Sequence, residues 1–164
     1  MKNSIVLKGI KLEDFVQYKL PSMFLITSVC DWKCCFEQNL SIDICQNSSL
    51  ATSSSKEYSY DIILKGFIEN DISQSVVIGG LEPFLQFEEI LGLIDFFRAN
   101  KCMCDFIIYT GYNKEEVKDY IDKLLNYNNI YIKFGRYVPD NQPHYDEVLG
   151  VYLASNNQYG EKIS

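Results

Sequence analysis

The chain has 164 residues, 47% hydrophobic and 23% charged, the size and composition of one ordered globular domain rather than of a disordered or fibrous chain. Lys and Arg total 15 against 22 Asp and Glu, a net charge of -7, the wrong sign for gripping nucleic acid or an anionic membrane surface. No apolar run reaches the ~20 residues that cross a bilayer, and Met1 to Leu20 carries scattered charges in place of a signal-peptide core. The expectation is therefore one cytoplasmic domain, residues 1–164, whose six cysteines are free thiols or metal ligands rather than disulfides.

In chain order, Ser22 to Ser28 is an apolar run with strand character. Cys30 to Asn47 follows as a cysteine-bearing loop without clear periodicity. Ser48 to Lys56 is a serine-rich surface connection. From Tyr58 to Asn70 the residues Tyr60, Ile63, Leu64, Phe67 and Ile68 recur at helical spacing behind a Ser59 cap. Ser75 to Ile78 is a short strand that ends in Gly79-Gly80. After Pro83 the positions Phe87, Ile90, Leu91, Ile94 and Phe97 predict a helix reaching Asn100. The order then repeats, with a strand Asp105 to Tyr109, a turn Thr110-Gly111, and a helix capped by Asn113 that buries Val117, Ile121 and Leu124 and runs to about Tyr127. A strand Ile130 to Phe134 leads into Gly135-Arg136. Strand, turn and helix in repetition predict an α/β fold, a partial (β/α) barrel of mostly parallel strands with covering helices. Its working edge is the C-terminal end of the strands.

Cys30, Cys34, Cys35 and Cys45 crowd into one loop, and soft thiolates in such a cluster select iron–sulfur clusters or zinc over hard cations. Four thiolates closed around zinc would make a structural module. Cys102 and Cys104, beside a strand, read as buried structural thiols. His144, beside Pro143, reads as an exposed loop histidine. Arg136 reads either as a solvated strand-end charge or as a group that recognises a carboxylate.

Cys30-Asp31-Trp32-Lys33-Cys34 followed by Cys45-Gln46-Asn47 resembles the Cys-x-x-x-Cys-x-x-Cys motif of the radical S-adenosylmethionine (SAM) enzymes, with the segment Cys35 to Ile44 inserted. Gly79-Gly80-Leu81-Glu82-Pro83 resembles their Gly-Gly-Glu-Pro motif, again with one extra residue, Leu81. Tyr109-Thr110-Gly111-Tyr112 and Ser155-Asn156-Asn157-Gln158 are similar to segments of the anaerobic ribonucleoside-triphosphate reductase activating proteins. The resemblance implies a 4Fe-4S cluster held by Cys30, Cys34 and Cys45, with Cys35 as the alternative third ligand. Divergence of adjacent side chains in an extended segment favours Cys45. It further implies SAM bound by Gly79, Gly80 and Glu82 at its methionine end, by Ile44 against the adenine, and by Thr110 and Gly111 at the nucleoside. The implied activity is reductive cleavage of SAM to generate a glycyl radical on a partner enzyme, the large subunit of an anaerobic ribonucleotide reductase, with electrons from a flavodoxin-like donor. The alternative is a non-catalytic iron–sulfur or zinc-binding module.

Overall fold

The computed structural model describes residues 2–164. Its frame is a seven-stranded sheet built from β1 (Ser4–Asp14), β2 (Ser22–Thr27), β3 (Lys56–Ser59), β4 (Ser75–Gly79), β5 (Asp105–Tyr109), β6 (Ile130–Phe134) and the late strand β9 (Tyr159–Lys162), in the order β3-β1-β2-β4-β5-β6-β9. The central strands β2, β4, β5 and β6 are parallel, while β1, β3 and β9 are antiparallel to their neighbours. The fold is thus mixed α/β with a mostly parallel central sheet. The sheet is open, with β3 and β9 as its edges, and does not form a closed barrel. A hairpin of β7 (His144–Asp146) and β8 (Val151–Leu153) stands apart from it.

The strand period of two decides which side chains meet the helices. On β4, Val76 and Ile78 enter the main core while Val77 enters a smaller one; on β5, Phe106 and Ile108 divide from Ile107 in the same way. The main core lies under α3 (Tyr60–Glu69), α4 (Phe87–Ala99) and α5 (Lys118–Leu124), which bury Ile63, Phe67, Leu93, Phe97 and Leu124 among others. On the opposite face, Leu149 and Leu153 around the hairpin and Tyr18 and Leu20 after β1 pack in a smaller core. Helices crowd one face and leave the other partly open.

Local signals account for the helix boundaries. Ser59 Oγ accepts from the Ile62 N–H at 3.3 Å and starts α3, and the Asn113 N–H donates to Glu116 at 2.7 Å ahead of α5. Single turns of 3-10 helix, Pro83–Gln86 and Lys114–Val117, precede α4 and α5. Tyr60 is buried and donates to the Glu89 carbonyl at 2.7 Å. A Cβ on residue 92 would stand 2.7 Å from that hydroxyl, which is why α4 carries Gly92 at the crossing.

Several expectations need correction. The cysteine loop holds a short helix, α1 (Lys33–Phe36), and a 3-10 turn Ile42–Ile44; the serine-rich connection holds a second short helix, α2 (Ser48–Ala51), and its last residue, Lys56, begins a strand. Because Cys34 and Cys35 share α1, the extended geometry invoked against Cys35 is absent. His144 lies on β7, half-buried, with Nε2 2.6 Å from the Gln158 carbonyl. Arg136 is buried, its charge compensated within the chain.

Candidate metal and cofactor site

One cavity of about 370 Å³ opens at the C-terminal ends of β4, β5 and β6 on the face that the helices leave free, where open parallel sheets hold their ligands. Cys30, Cys34, Cys35 and Cys45 all line it. So do Ile44, Gly80, Glu82, Thr110 and Gly111. Gly79 does not: its carbonyl accepts from the Thr27 hydroxyl at 2.9 Å, and a Cβ there would stand 3.0 Å from the Tyr109 Cβ. The chain turns at Gly80 with φ 95°, against Ile26, where a Cβ would meet the Ile26 side chain at 2.6 Å. Only glycine fits that approach. The extra residue, Leu81, is buried as part of the cavity wall, its N–H donating to Thr27 Oγ1 at 3.0 Å.

Glu82 organises the far wall. Oε1 accepts from the Phe84 N–H at 3.0 Å and the Thr110 hydroxyl at 2.8 Å, and Oε2 accepts from the Gly111 N–H at 3.0 Å. Burial raises its pKa, against the pull of these donors. A carboxylate offers about four lone-pair sites, so Oε2 retains capacity for one more donor from the cavity.

Gly111 permits the closest approach in the site: a Cβ there would lie 2.8 Å from Cys34 Sγ. The Tyr137 N–H points at that sulfur, which burial holds above the usual thiol range. The Cys30 sulfur accepts from the Trp32 N–H at 3.3 Å, an approach made by the left-handed turn at Trp32, φ 61°. Burial pushes the Cys30 thiol up to about 12. Cys35 is the most buried of the four, its thiol raised by that burial and touched by the Cys45 N–H. Among the described residues no three His, Cys, Asp or Glu side chains converge on a point that could hold a single metal ion. The thiols are instead spread around a roomy cavity. This donor set, four soft thiolates, fits a cube, whose ligands each bind a different iron and need not converge.

Lys133 escaped the reading of the sequence. On β6 it alternates with Ile132 and Phe134, which enter the helix-side core, so it projects to the other face and lines the cavity. Its ammonium is buried, 3.3 Å from the Gly135 carbonyl and 5.7 Å from the centre of the Tyr109 ring, and desolvation lowers its pKa to about 8. The available signal was one charge inside the apolar run Ile130 to Phe134, at the parity opposite to its buried neighbours.

Arg136 fastens the cysteine segment to the sheet. Its guanidinium donates to Glu37 at 2.9 and 3.0 Å, to Glu116 at 2.7 Å, and to the Gly111 carbonyl at 2.6 Å. Glu116 is held down at about 2 by this hydrogen bonding. The Ser155 to Gln158 segment closes the same corner: the Asn157 amide donates to the Arg136 carbonyl at 2.9 Å, and the Gln158 amide to Gly135 at 3.3 Å.

No helix among the described residues is long and apolar enough to cross a membrane. No curated protein matches the sequence. A family model described as a 4Fe-4S single cluster domain matches residues 22–158, a span running from the first residue of β2 to the segment that closes the Arg136 corner. The chain therefore belongs to the 4Fe-4S single cluster domain family and is a 4Fe-4S cluster-binding protein.

Proposed function

We propose that this chain is a cytoplasmic radical SAM enzyme, similar to the anaerobic ribonucleoside-triphosphate reductase activating proteins, whose open sheet serves as a partial barrel. The observation that carries the reading is the meeting of two sequence motifs in one place: the cysteine loop and the Gly80, Glu82, Thr110 and Gly111 backbone line a single cavity at the strand ends. In this reading Cys30, Cys34 and Cys45 hold the cluster, with Cys35 as the alternative to Cys45, and one iron is left without a protein ligand. A reduced 4Fe-4S cluster with such an open iron supplies the electron that breaks a sulfur–carbon bond of SAM.

The protein's own part is binding, orientation and exclusion of water. SAM carries a carboxylate, an amino group, a sulfonium and a planar base, and the cavity lining offers a counterpart to each. Lys133, the one cation in that lining, faces the carboxylate; Glu82, the one acid, accepts from the amino group through Oε2. Gly80 lines the methionine end of the cavity at a turn that its close approach to Ile26 restricts to glycine. Ile44 packs on the adenine, and Thr110 and Gly111, fixed by Glu82, shape the nucleoside wall. The volume falls within the ~300–1,000 Å³ of small-molecule sites.

The partner in this reading is a glycyl radical enzyme, the large subunit of an anaerobic ribonucleotide reductase, with a flavodoxin-like electron donor. What supports a macromolecular substrate is the rim: Val16 and Tyr152 line the cavity yet are 66% and 75% exposed, apolar groups placed to be covered by another surface. The test is anaerobic incubation of the reconstituted, reduced protein with SAM. Release of 5′-deoxyadenosine supports the enzyme; its absence from a protein with an intact cluster leaves a non-catalytic iron–sulfur module.

A further inference from the structure

Cys102 and Cys104 lie at the other end of β5 from the cavity. They precede Asp105, whereas Thr110 and Gly111 follow Tyr109, so a whole strand of about 15 Å separates the two sets of thiols. The chain turns through a left-handed residue, Lys101 with φ 61°, and enters an extended approach to β5. Arg98 on α4 pins that approach by donating to the Cys102 carbonyl at 2.7 Å and the Cys104 carbonyl at 3.0 Å, with a third bond to Asn128 at 2.7 Å. Residues two apart in an extended segment share a face. Cys102 and Cys104 accordingly point the same way with sulfurs 3.8 Å apart, while Met103 is 48% exposed. Both thiols are half-buried rather than sealed in the core.

We propose that Cys102 and Cys104 form a thiol–disulfide exchange site that reduces low-molecular-weight disulfides and is itself left as an intramolecular disulfide. The two sulfurs need to close by only roughly 2 Å to reach bonding distance, a movement within the range of side-chain rotation, and Arg98 holds the backbone meanwhile. The cysteines have distinct roles. A contact of 3.8 Å joins the two sulfurs; with the Cys104 N–H and the nearby Arg98 charge it favours the Cys102 thiolate, while burial helps to hold Cys104 protonated. Thiolate character decides which sulfur attacks.

The Cys102 thiolate attacks one sulfur of the small disulfide; the new S–S bond forms as the disulfide's own bond breaks, and one thiolate leaves. Cys104 then gives up its proton and attacks Cys102 Sγ. The Cys102–Cys104 bond forms, the mixed bond breaks, and the second small thiol departs with that proton. Two protein thiols are oxidised by two electrons, and one small disulfide becomes two thiols.

The test uses the full chain with its cluster, kept anaerobic, in buffers of graded reduced and oxidised glutathione. Remaining thiols are blocked and the protein is cut with trypsin, which cleaves after Lys101 and Lys114 and so isolates these two cysteines on one peptide. The expected product is that peptide lighter by two hydrogens and free of glutathione, reverting as the reduced form is added. Cys104→Ser should instead accumulate glutathione on Cys102, and Cys102→Ser should react at least tenfold more slowly. As a check that needs no variant, Cys102 in the native protein should alkylate at least tenfold faster than Cys104, a difference lost in urea. A peptide that stays a dithiol across the glutathione range, or equal native alkylation of the two cysteines, overturns the proposal whatever the iron content.

Discussion

Gly111 and Cys34 are fitted to one another: the glycine's missing side chain is the space that the sulfur occupies, since a Cβ would stand 2.8 Å from Cys34 Sγ. The same glycine gives its N–H to Glu82 and its carbonyl to Arg136. It therefore links the proposed SAM wall to the cysteine segment through its main chain alone. Gly111→Ala should force the sulfur or the turn to move, a misfit that costs about 1–3 kcal/mol. The expected result is a Tm lower by roughly 2–10 °C, with far-ultraviolet circular dichroism intact and less iron retained per chain than in wild type.

Lys133 is a buried cation held where it costs stability. Its desolvation is offset only in part by Glu82 and the Cys34 sulfur, so Lys133→Met should raise the Tm of the apo-protein. The same change should weaken SAM binding by tenfold or more, since a charge-assisted hydrogen bond contributes about 1.5–3 kcal/mol. Calorimetric titration and thermal melts on one preparation read both effects. A variant that loses stability while keeping SAM affinity would assign Lys133 to structure alone.

The Arg136 corner predicts a pH dependence with a definite sign. Hydrogen bonding to Arg136 depresses the Glu116 carboxyl in the folded chain from 4.5 to about 2. Its contribution is therefore complete above pH 4.5 and is lost as pH falls through about 2. Glu116→Gln should be less stable than wild type at neutral pH by about 1 kcal/mol, the scale of a partly exposed ion pair. The gap should shrink on acidification through that window. Urea unfolding of the apo-proteins at pH 7, 4 and 3 measures it; a gap that widens toward acid would contradict the assignment.

The parallel strands were readable because each is a short apolar run, with glycine at the ends of β4, β5 and β6, and a parallel sheet buries both of its faces. Val76 to Ile78 and Phe106 to Ile108 follow that rule, and on β6 Ile130 and Ile132 are buried with Tyr131 half-buried between them. β1 was hidden because Lys8, Gly9 and Lys11 interrupt its apolar residues. β7 and β8 are three residues each, too short to show a period. At the site, the glycine and cysteine motifs were legible and Arg136 was readable as a group that recognises a carboxylate, whereas Lys133 and the carboxylates that Arg136 meets were not: these come from the parity of β6 and from residues distant in sequence. Nor did the spacing disclose that Cys34 and Cys35 share a helix rather than an extended segment.

Which sulfurs hold the cluster is the question on which the rest depends, and single-cysteine variants reconstituted anaerobically with iron and sulfide answer it most directly. Iron, acid-labile sulfide and visible charge-transfer absorbance are measured for Cys30→Ala, Cys34→Ala, Cys35→Ala and Cys45→Ala alongside the wild-type chain. The account predicts a brown Cys35→Ala protein that keeps four irons per chain and colourless variants at 30, 34 and 45. A Cys45→Ala protein that keeps its cluster while Cys35→Ala loses it would contradict the assignment.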